Sequence, residues 1–580
     1  MIEPEFSRRR LPVFGGLDLV FFLGYMVIVM VIGFAVGRKE KATVSDYFRA
    51  GNTLPWYAIG FSIIAAGISS EQFVGEMGYA YKLGMPVVNW EWLIFPSLSI
   101  LLWIFVPLYV RNRITTMPEY LEKRFGPRCR TQYACLIVAS YIFANFALVF
   151  FTGGFAMEKM WGINRYAAIW VLAATTGAYT IYGGLASVAW TDFFQCALLL
   201  GGGIYVFFAG MARIGWDFTK VLGTGDHAHL MANSCPDVPW TALIILALST
   251  NVWYYATDQF INQRCLGAIN EWHSKMGVLL AGGIQLILPL ATCFPGMIYA
   301  VINPNLKIAD EAYPSVVAAV VPIGLRGLVA AAVLGAIMST ISGLVNSTAT
   351  MVTLDIFGRW KGRDWPEARL IRFGMWAGGI ALVIGACFSI AVSKWESMFR
   401  YCQDIWAPMA APAVVVFMSG ALWKGARERA AVACLWLSIL TVPFTFAKQF
   451  LADKGIHFVP TTLENSMVFA GLVFLASSAL MAALSLSASR VNGFAIAAIA
   501  CVPLTWLAIK SPEATALLVL AEVILALIGY GLAARQKAEN MWDRSMLGLP
   551  KGETEHWYSS LWLWWLVIGG CFALIYWRFW

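Results

Sequence analysis

The chain has 580 residues, 59% hydrophobic and only 13% charged, with a mean hydropathy of +0.68. That balance excludes a soluble protein of this size and points to a polytopic membrane protein. A net charge of +8 suits loops held against an anionic leaflet, so it does not call for nucleic acid.

Apolar runs predict sixteen helices, near 15–37, 54–80, 86–110, 131–157, 163–182, 188–212, 240–263, 274–302, 325–352, 370–393, 402–422, 428–449, 464–487, 491–509, 513–533 and 559–578. The first run, Gly15 to Val36, is followed by Arg38-Lys39-Glu40-Lys41 and no small-residue cleavage site, so it reads as a retained helix.

The second run is the one around which the chain is organised. It carries Ala65-Ala66-Gly67-Ile68-Ser69-Ser70-Glu71-Gln72 at its centre. Hydrocarbon cannot satisfy these polar groups, so they face protein or a wet cavity. A helix broken at mid-membrane is how secondary transporters build ion and solute sites. A small-residue packing face would explain Gly67, Ser69 and Ser70, but not Glu71 beside Gln72.

Further along, Glu91 sits in Val88-Asn89-Trp90-Glu91-Trp92, either in a cavity or as an interfacial carboxylate between tryptophans. Asp192 follows Tyr182-Gly183-Gly184, where a tight turn enters the sixth helix; a helix-start carboxylate is the plainer reading. The outer loop 213–239 holds Cys235. In the seventh helix Asn251, Tyr254, Asp258 and Gln259 recur at i, i+3, i+7 and i+8, which places them on one helical face. Gln285 lies within the eighth helix. The outer loop 303–324 has an apolar stretch, Val316 to Val321, that reads as lying along the membrane interface.

In the ninth helix, Ala336, Ser339 and Thr340 share a face at i, i+3 and i+4. A hard monovalent cation takes about five or six oxygens, and neutral ones suffice. These hydroxyls and carbonyls freed near Ala65 and Ile68 could supply them; a small-residue helix contact is the alternative. Gln403 and Asp404 open the eleventh helix. Polar groups on six helices predict a shared polar cavity. The segment 534–557 reads as a linker, and Trp562, Trp564 and Trp565 as an interfacial anchor.

The basic loops after the first helix, at 111–130, 359–372, 424–429 and 535–551, all fall on one side of a sixteen-helix chain. The positive-inside rule makes that side cytoplasmic and puts both termini outside, although Arg8-Arg9-Arg10 runs against this. The 11 cysteines show no metal-ligand spacing and the five histidines lie in or near loops. No nucleophile–base constellation predicts an enzyme.

Six stretches carry a resemblance: SDYFRAGNTLPWYAIGFSIIAAGISSEQFVG, MPEYLEKRFG, YTIYGGLASVAWTDFFQ, NVWYYATDQFINQR, GAIMSTISGLVNSTAT and YCQDIWAPMAAP. In this order the chain resembles the sodium:solute symporter family, close to the sodium/glucose and sodium/galactose cotransporters, over about 17–425. The resemblance implies an all-α membrane protein with a leucine-transporter-type 5+5 inverted-repeat core and about 14–16 transmembrane helices. The segments would be 1–53 with one helix, core repeats at 54–212 and 213–422, and extra helices in 423–580. It implies a sodium site on Ala65, Ile68 and Ala336 through carbonyls and on Ser339 and Thr340 through hydroxyls. Gln72, Glu91, Asn251 and Gln403 match sugar-binding positions, Tyr254 the aromatic that closes the inner side, and Asp192 an acidic residue on the sodium exit path.

There are departures. Gly67 replaces a sugar-touching asparagine, Gln285 a lysine, Ile94 a supporting serine and Trp90 a tyrosine; Glu76 stands where a methionine is expected. The function implied is sodium-coupled import, across the plasma membrane, of a small polar solute, foremost a monosaccharide or related polyol. Inositol, an amino acid or a vitamin on the same fold, or a solute sensor that does not transport, are the other readings. Sodium is the only cofactor implied; the partners are the solute and the bilayer, with no nucleic acid.

Overall fold

A backbone that leaves water for hydrocarbon must bond within its own segment, and helices do this. The structure, a computed structural model, describes residues 16–38, 43–69, 71–231, 239–362, 364–391, 398–452, 465–485, 512–533 and 556–580. Helices dominate these residues, and their only β pairing is a bridge between Leu54 and Ala268. The predicted helix 491–509, Cys235, most of the linker 534–557 and Arg8-Arg9-Arg10 lie outside the described residues.

The chain opens with α1 (Gly16–Gly37) and the short amphipathic α2 (Val44–Phe48). A first run of spans follows: α3 (Trp56–Gly67) with α4 (Met77–Leu83), then α5 (Met85–Arg111), the connecting α6 (Met117–Arg124), α7 (Pro127–Glu158) and α8 (Arg165–Arg213). The second run is α9 (Trp240–Ile245) with α10 (Gln259–Leu266), α11 (Glu271–Ile287) with α12 (Pro289–Ile302), α13 (Ala312–Val320), α14 (Leu325–Trp360), α15 (Glu367–Ala391) and α16 (Met398–Leu422). Last come α17 (Glu428–Ala452), α18 (Ser466–Ser485), α19 (Pro512–Ala533) and α20 (Leu561–Phe579).

Both runs begin with a broken helix. α3 ends at Gly67, Ile68 is extended (φ −103°, ψ 126°), and the chain resumes in a π-helical turn, Glu71–Glu76. In the second run, π-helical turns at Leu246–Thr250 and Trp253–Thr257 lead to an extended Asp258 (φ −78°, ψ 136°) before α10.

Among the described residues ten helices are long and apolar enough to cross a bilayer, or eleven if the bent pair α11–α12 counts as one span. The shortfall against the sixteen predicted has physical causes. The spans 54–80 and 240–263 are interrupted. The spans 163–182 and 188–212 form the single 49-residue α8, kinked at Gly184 (φ 64°, ψ −161°). At ~1.5 Å per residue that length is roughly twice the bilayer core. A side chain at Gly184 would press on the Tyr47 carbonyl, 2.5 Å from its Cβ, so α2 docks where the kink is.

α14 packs against α8, α1 and α15 and is buried along nearly all its length. In the region 303–324 the apolar stretch forms α13, whose Tyr313, Val316 and Val317 are buried against α4, α8 and α12. α20 is more than an anchor: Trp562 stacks on Trp103 at 4.0 Å, and Trp565 Nε1 donates to Ser99 Oγ at 2.9 Å.

α3 and α11 approach through glycines. A Cβ on Gly277 would lie 2.7 Å from Ile59, and one on Gly60 would lie 2.7 Å from Leu280. A Cβ on Gly201, on the exposed face of α8, would meet nothing within 4 Å. Gly277→Leu is therefore expected to destabilise the protein by about 1–3 kcal/mol or more. Gly201→Leu should leave the detergent melting temperature within a degree or so of wild type. A melting curve for each variant checks the pair.

Candidate functional site, a polar pocket between two helix breaks

The first break frees backbone groups in a dry interior, and one side chain holds them. Gln72 Oε1 accepts from Ser69 N (2.7 Å), and Gln72 Nε2 donates to Gly67 O (2.9 Å). This is the physical reason an amide follows the break: one group supplies both a donor and an acceptor. Gln72 and Gly67 also line a cavity. A Cβ on Gly67 would sit 2.9 Å from Tyr255 Oη.

The second break is held mostly from other helices. Tyr109 Oη donates to Ala256 O (2.9 Å), Tyr133 Oη to Thr257 O (3.2 Å) and Asn262 Nδ2 to Tyr255 O (3.1 Å). Tyr141 Oη donates to Asp258 and accepts from Phe260 N. The four-residue stripe expected on one helical face is thus split. Asn251 and Tyr254 line the cavity, Asp258 caps α10, and Gln259 turns away to accept from Met117 N (2.8 Å).

The five residues matched to a cation site converge in part. Thr340 Oγ1 donates towards Ala336 O (3.1 Å) and also lies 3.3 Å from Ile68 O and 3.4 Å from Ala66 O. It thus joins α14 to the broken end of α3. Ser339 Oγ instead donates to Asp192 Oδ1 (2.6 Å), which leaves its lone pairs for a cation. The carbonyl that approaches Thr340 beside that of Ile68 belongs to Ala66 rather than Ala65.

Asp192 is no helix-start residue. It lies within α8, fully buried, and its Oδ2 accepts from Ser62 Oγ (2.5 Å) and Arg264 (3.0 Å). Arg264, equally buried on α10, also donates Nε–H to Ser62 Oγ at 2.7 Å. One ion pair thus ties α3, α8, α10 and, through Ser339, α14. The sequence reading missed Arg264 and Ser62. The visible signal was an arginine at the end of a mostly apolar run, whose charge had to find a partner.

The cavity lies between the breaks. Glu91 lines it and is only 3% exposed, so its carboxylate is turned into the protein. Its Oε2 accepts from Gln285 Nε2, so Gln285 acts behind Glu91 rather than on the cavity wall. Asn251 Nδ2 donates to Leu93 O (3.2 Å). Gln403 and Trp406 reach in from α16, where Gln403 lies inside the helix rather than at its opening. Neither Gln403 Oε1 nor Trp406 Nε1 has a hydrogen-bond partner among the described residues. Asp404 turns out of the cavity and accepts from Ser466. Ser70 and the Glu71 side chain are outside the described residues. Such a chamber of directed donors and acceptors suits a hydroxyl-rich solute of modest size.

The sequence model of the sodium:solute symporter family matches residues 47–438. The sodium/glucose cotransporter of Vibrio parahaemolyticus is 31% identical over 467 residues, covering 75% of this chain and 85% of that protein. The sodium/myo-inositol cotransporter of Mus musculus is 31% identical over 463 residues; the match covers 71% of this chain and 64% of that protein's length. A sodium-coupled sialic acid symporter, solved substrate-bound and outward-open, superposes with a TM-score of 0.71 at 22% identity, covering 82% of this chain and all of that one. A nucleobase-cation-symport-1 family transporter superposes with a TM-score of 0.50 at 15% identity, over 87% and 98% of the two chains. These superpositions give the fold, a leucine-transporter-type core.

Asp192→Ala would leave a buried guanidinium unpaired, at a cost of about 3–5 kcal/mol. The expected result is a clear fall in melting temperature, largely recovered by adding Arg264→Met. A double-mutant cycle on the two substitutions checks it.

Proposed function

The chain belongs to the sodium:solute symporter family, and on that premise we propose that it imports a monosaccharide or related polyol by sodium-coupled alternating access. The observation that carries this is the bridge at Thr340: its hydroxyl joins the broken end of α3 to α14 beside a chamber of directed polar groups. Neutral oxygens suit a monovalent cation, and the residues present fit one.

In this mechanism sodium seats against the carbonyls of Ala65, Ile68 and Ala336 and the hydroxyls of Ser339 and Thr340. The ion draws α14 and the break together and thereby stabilises the state in which the chamber is formed. Solute hydroxyls bind Gln72, Glu91, Asn251 and Gln403, with Glu91 held in place by Gln285. Tyr254 closes the inner side and yields when the two runs of helices rock. Sodium leaves past Asp192. The basic loops face the cytoplasm in the plasma membrane and both termini lie outside.

Coupling needs only that sodium bind one state better than the other. One charge crossing 100 mV contributes about 2.3 kcal/mol. A tenfold sodium ratio adds about 1.4 kcal/mol, so one sodium sustains a few hundred-fold accumulation.

Proteoliposomes test this. Labelled glucose or myo-inositol should enter with an inward sodium gradient and not with potassium. Ser339→Ala combined with Thr340→Ala should cut initial uptake at least about tenfold, the equivalent of ~1.4 kcal/mol of ion binding. Equal uptake in sodium and potassium would overturn the reading.

A further inference from the structure

The chamber contains a second carboxyl that this mechanism does not use. Glu76 sits at the end of the π-helical turn after the first break, lines the cavity and is 5% exposed. Its Oε1 accepts from Cys293 Sγ at 3.1 Å. Glu91 lines the same cavity and is also buried. On its other side Glu91 is held by Gln285, while its buried Oε1 has no donor among the described residues.

Two buried carboxyls on the wall of one cavity favour a proton or a cation between them. No lysine, arginine or histidine lines the cavity. Trp90, Tyr254 and Trp406 line it instead, and aromatic rings can attract an ammonium group. An acceptor pair with one oxygen unfilled, ringed by aromatics, has the chemistry of an amine site. A methionine at position 76 would leave only one carboxyl, enough for a hydroxyl but not for a paired ammonium.

We infer that Glu76 and Glu91 together bind a protonated primary amine, so that the preferred solute is an amino-bearing polyol such as an aminohexose or aminocyclitol. The inference rests on the reading of the chamber as a polyol site. The remaining hydroxyls meet Asn251 and Gln403, and the ammonium supplies the donor that Glu91 Oε1 lacks. A neutral polyol must bind with the pair still holding its proton and forgoes the ion pair.

The test uses the full chain in proteoliposomes with an inward sodium gradient, on the acid side of neutrality so that the amine is protonated. Labelled glucosamine, glucose and myo-inositol are compared, for the wild type and for Glu76→Gln and Glu76→Met. Glucosamine should exceed both neutral solutes at least about tenfold in wild type, the equivalent of ~1.4 kcal/mol. Both variants should bring that ratio to within about threefold of unity. Sodium-driven uptake of a neutral solute with no entry or competition by glucosamine would overturn the amine site and leave the polyol reading standing. Amine preference that survives in both variants would overturn the role of Glu76. Absence of sodium-driven uptake of all three solutes would overturn both readings. The wild-type competition decides the matter even where a variant fails to fold.

Discussion

A helix that stops inside a bilayer leaves amides and carbonyls that lipid cannot bond, and much of this structure answers that constraint. At the first break the answer is local: the Gln72 amide closes on Ser69 N and Gly67 O. At the second it is long-range. Tyr109 on α5 and Tyr133 and Tyr141 on α7 reach in to hold Ala256, Thr257 and Asp258. Removing any one of these partners would strand a buried polar group. The breaks therefore position their neighbours as much as the neighbours position them, and the chamber between them follows.

The second organising interaction is the buried Asp192–Arg264 pair. Its net contribution to stability is modest, because two charges have been taken out of water. What it provides is connection: Ser62 and Ser339 complete it, so four helices from both runs share one network. A cation beside Ser339 would act on the same hydroxyl that Asp192 holds. On the proposed reading, occupancy of that position would be linked to the contact between α8 and α10, a physical route for coupling without any added element.

Much of the site was legible in the sequence because hydrocarbon leaves polar residues few excuses. The break at Ala65–Gln72, the Ala336–Thr340 face and the carboxylate at Glu91 were visible as polar groups in apolar runs, and the structure brings them to one chamber and the Thr340 contact beside it. The stripe from Asn251 to Gln259 was misread because helical periodicity assumes an unbroken helix, and the extended Asp258 ends that register.

What the sequence alone determined is the membrane environment, the places where helices cannot be plain apolar rods, and the residue types available for an ion and a hydroxylated solute. These follow from composition and spacing, which do not depend on how helices meet. Only the tertiary structure decided who partners whom. Arg264 with Asp192, Gln285 behind Glu91 and α20 against α5 are all separated by tens to hundreds of residues. Such contacts are set by packing of whole helices, and a polar residue in an apolar run says that a partner is needed without saying which one.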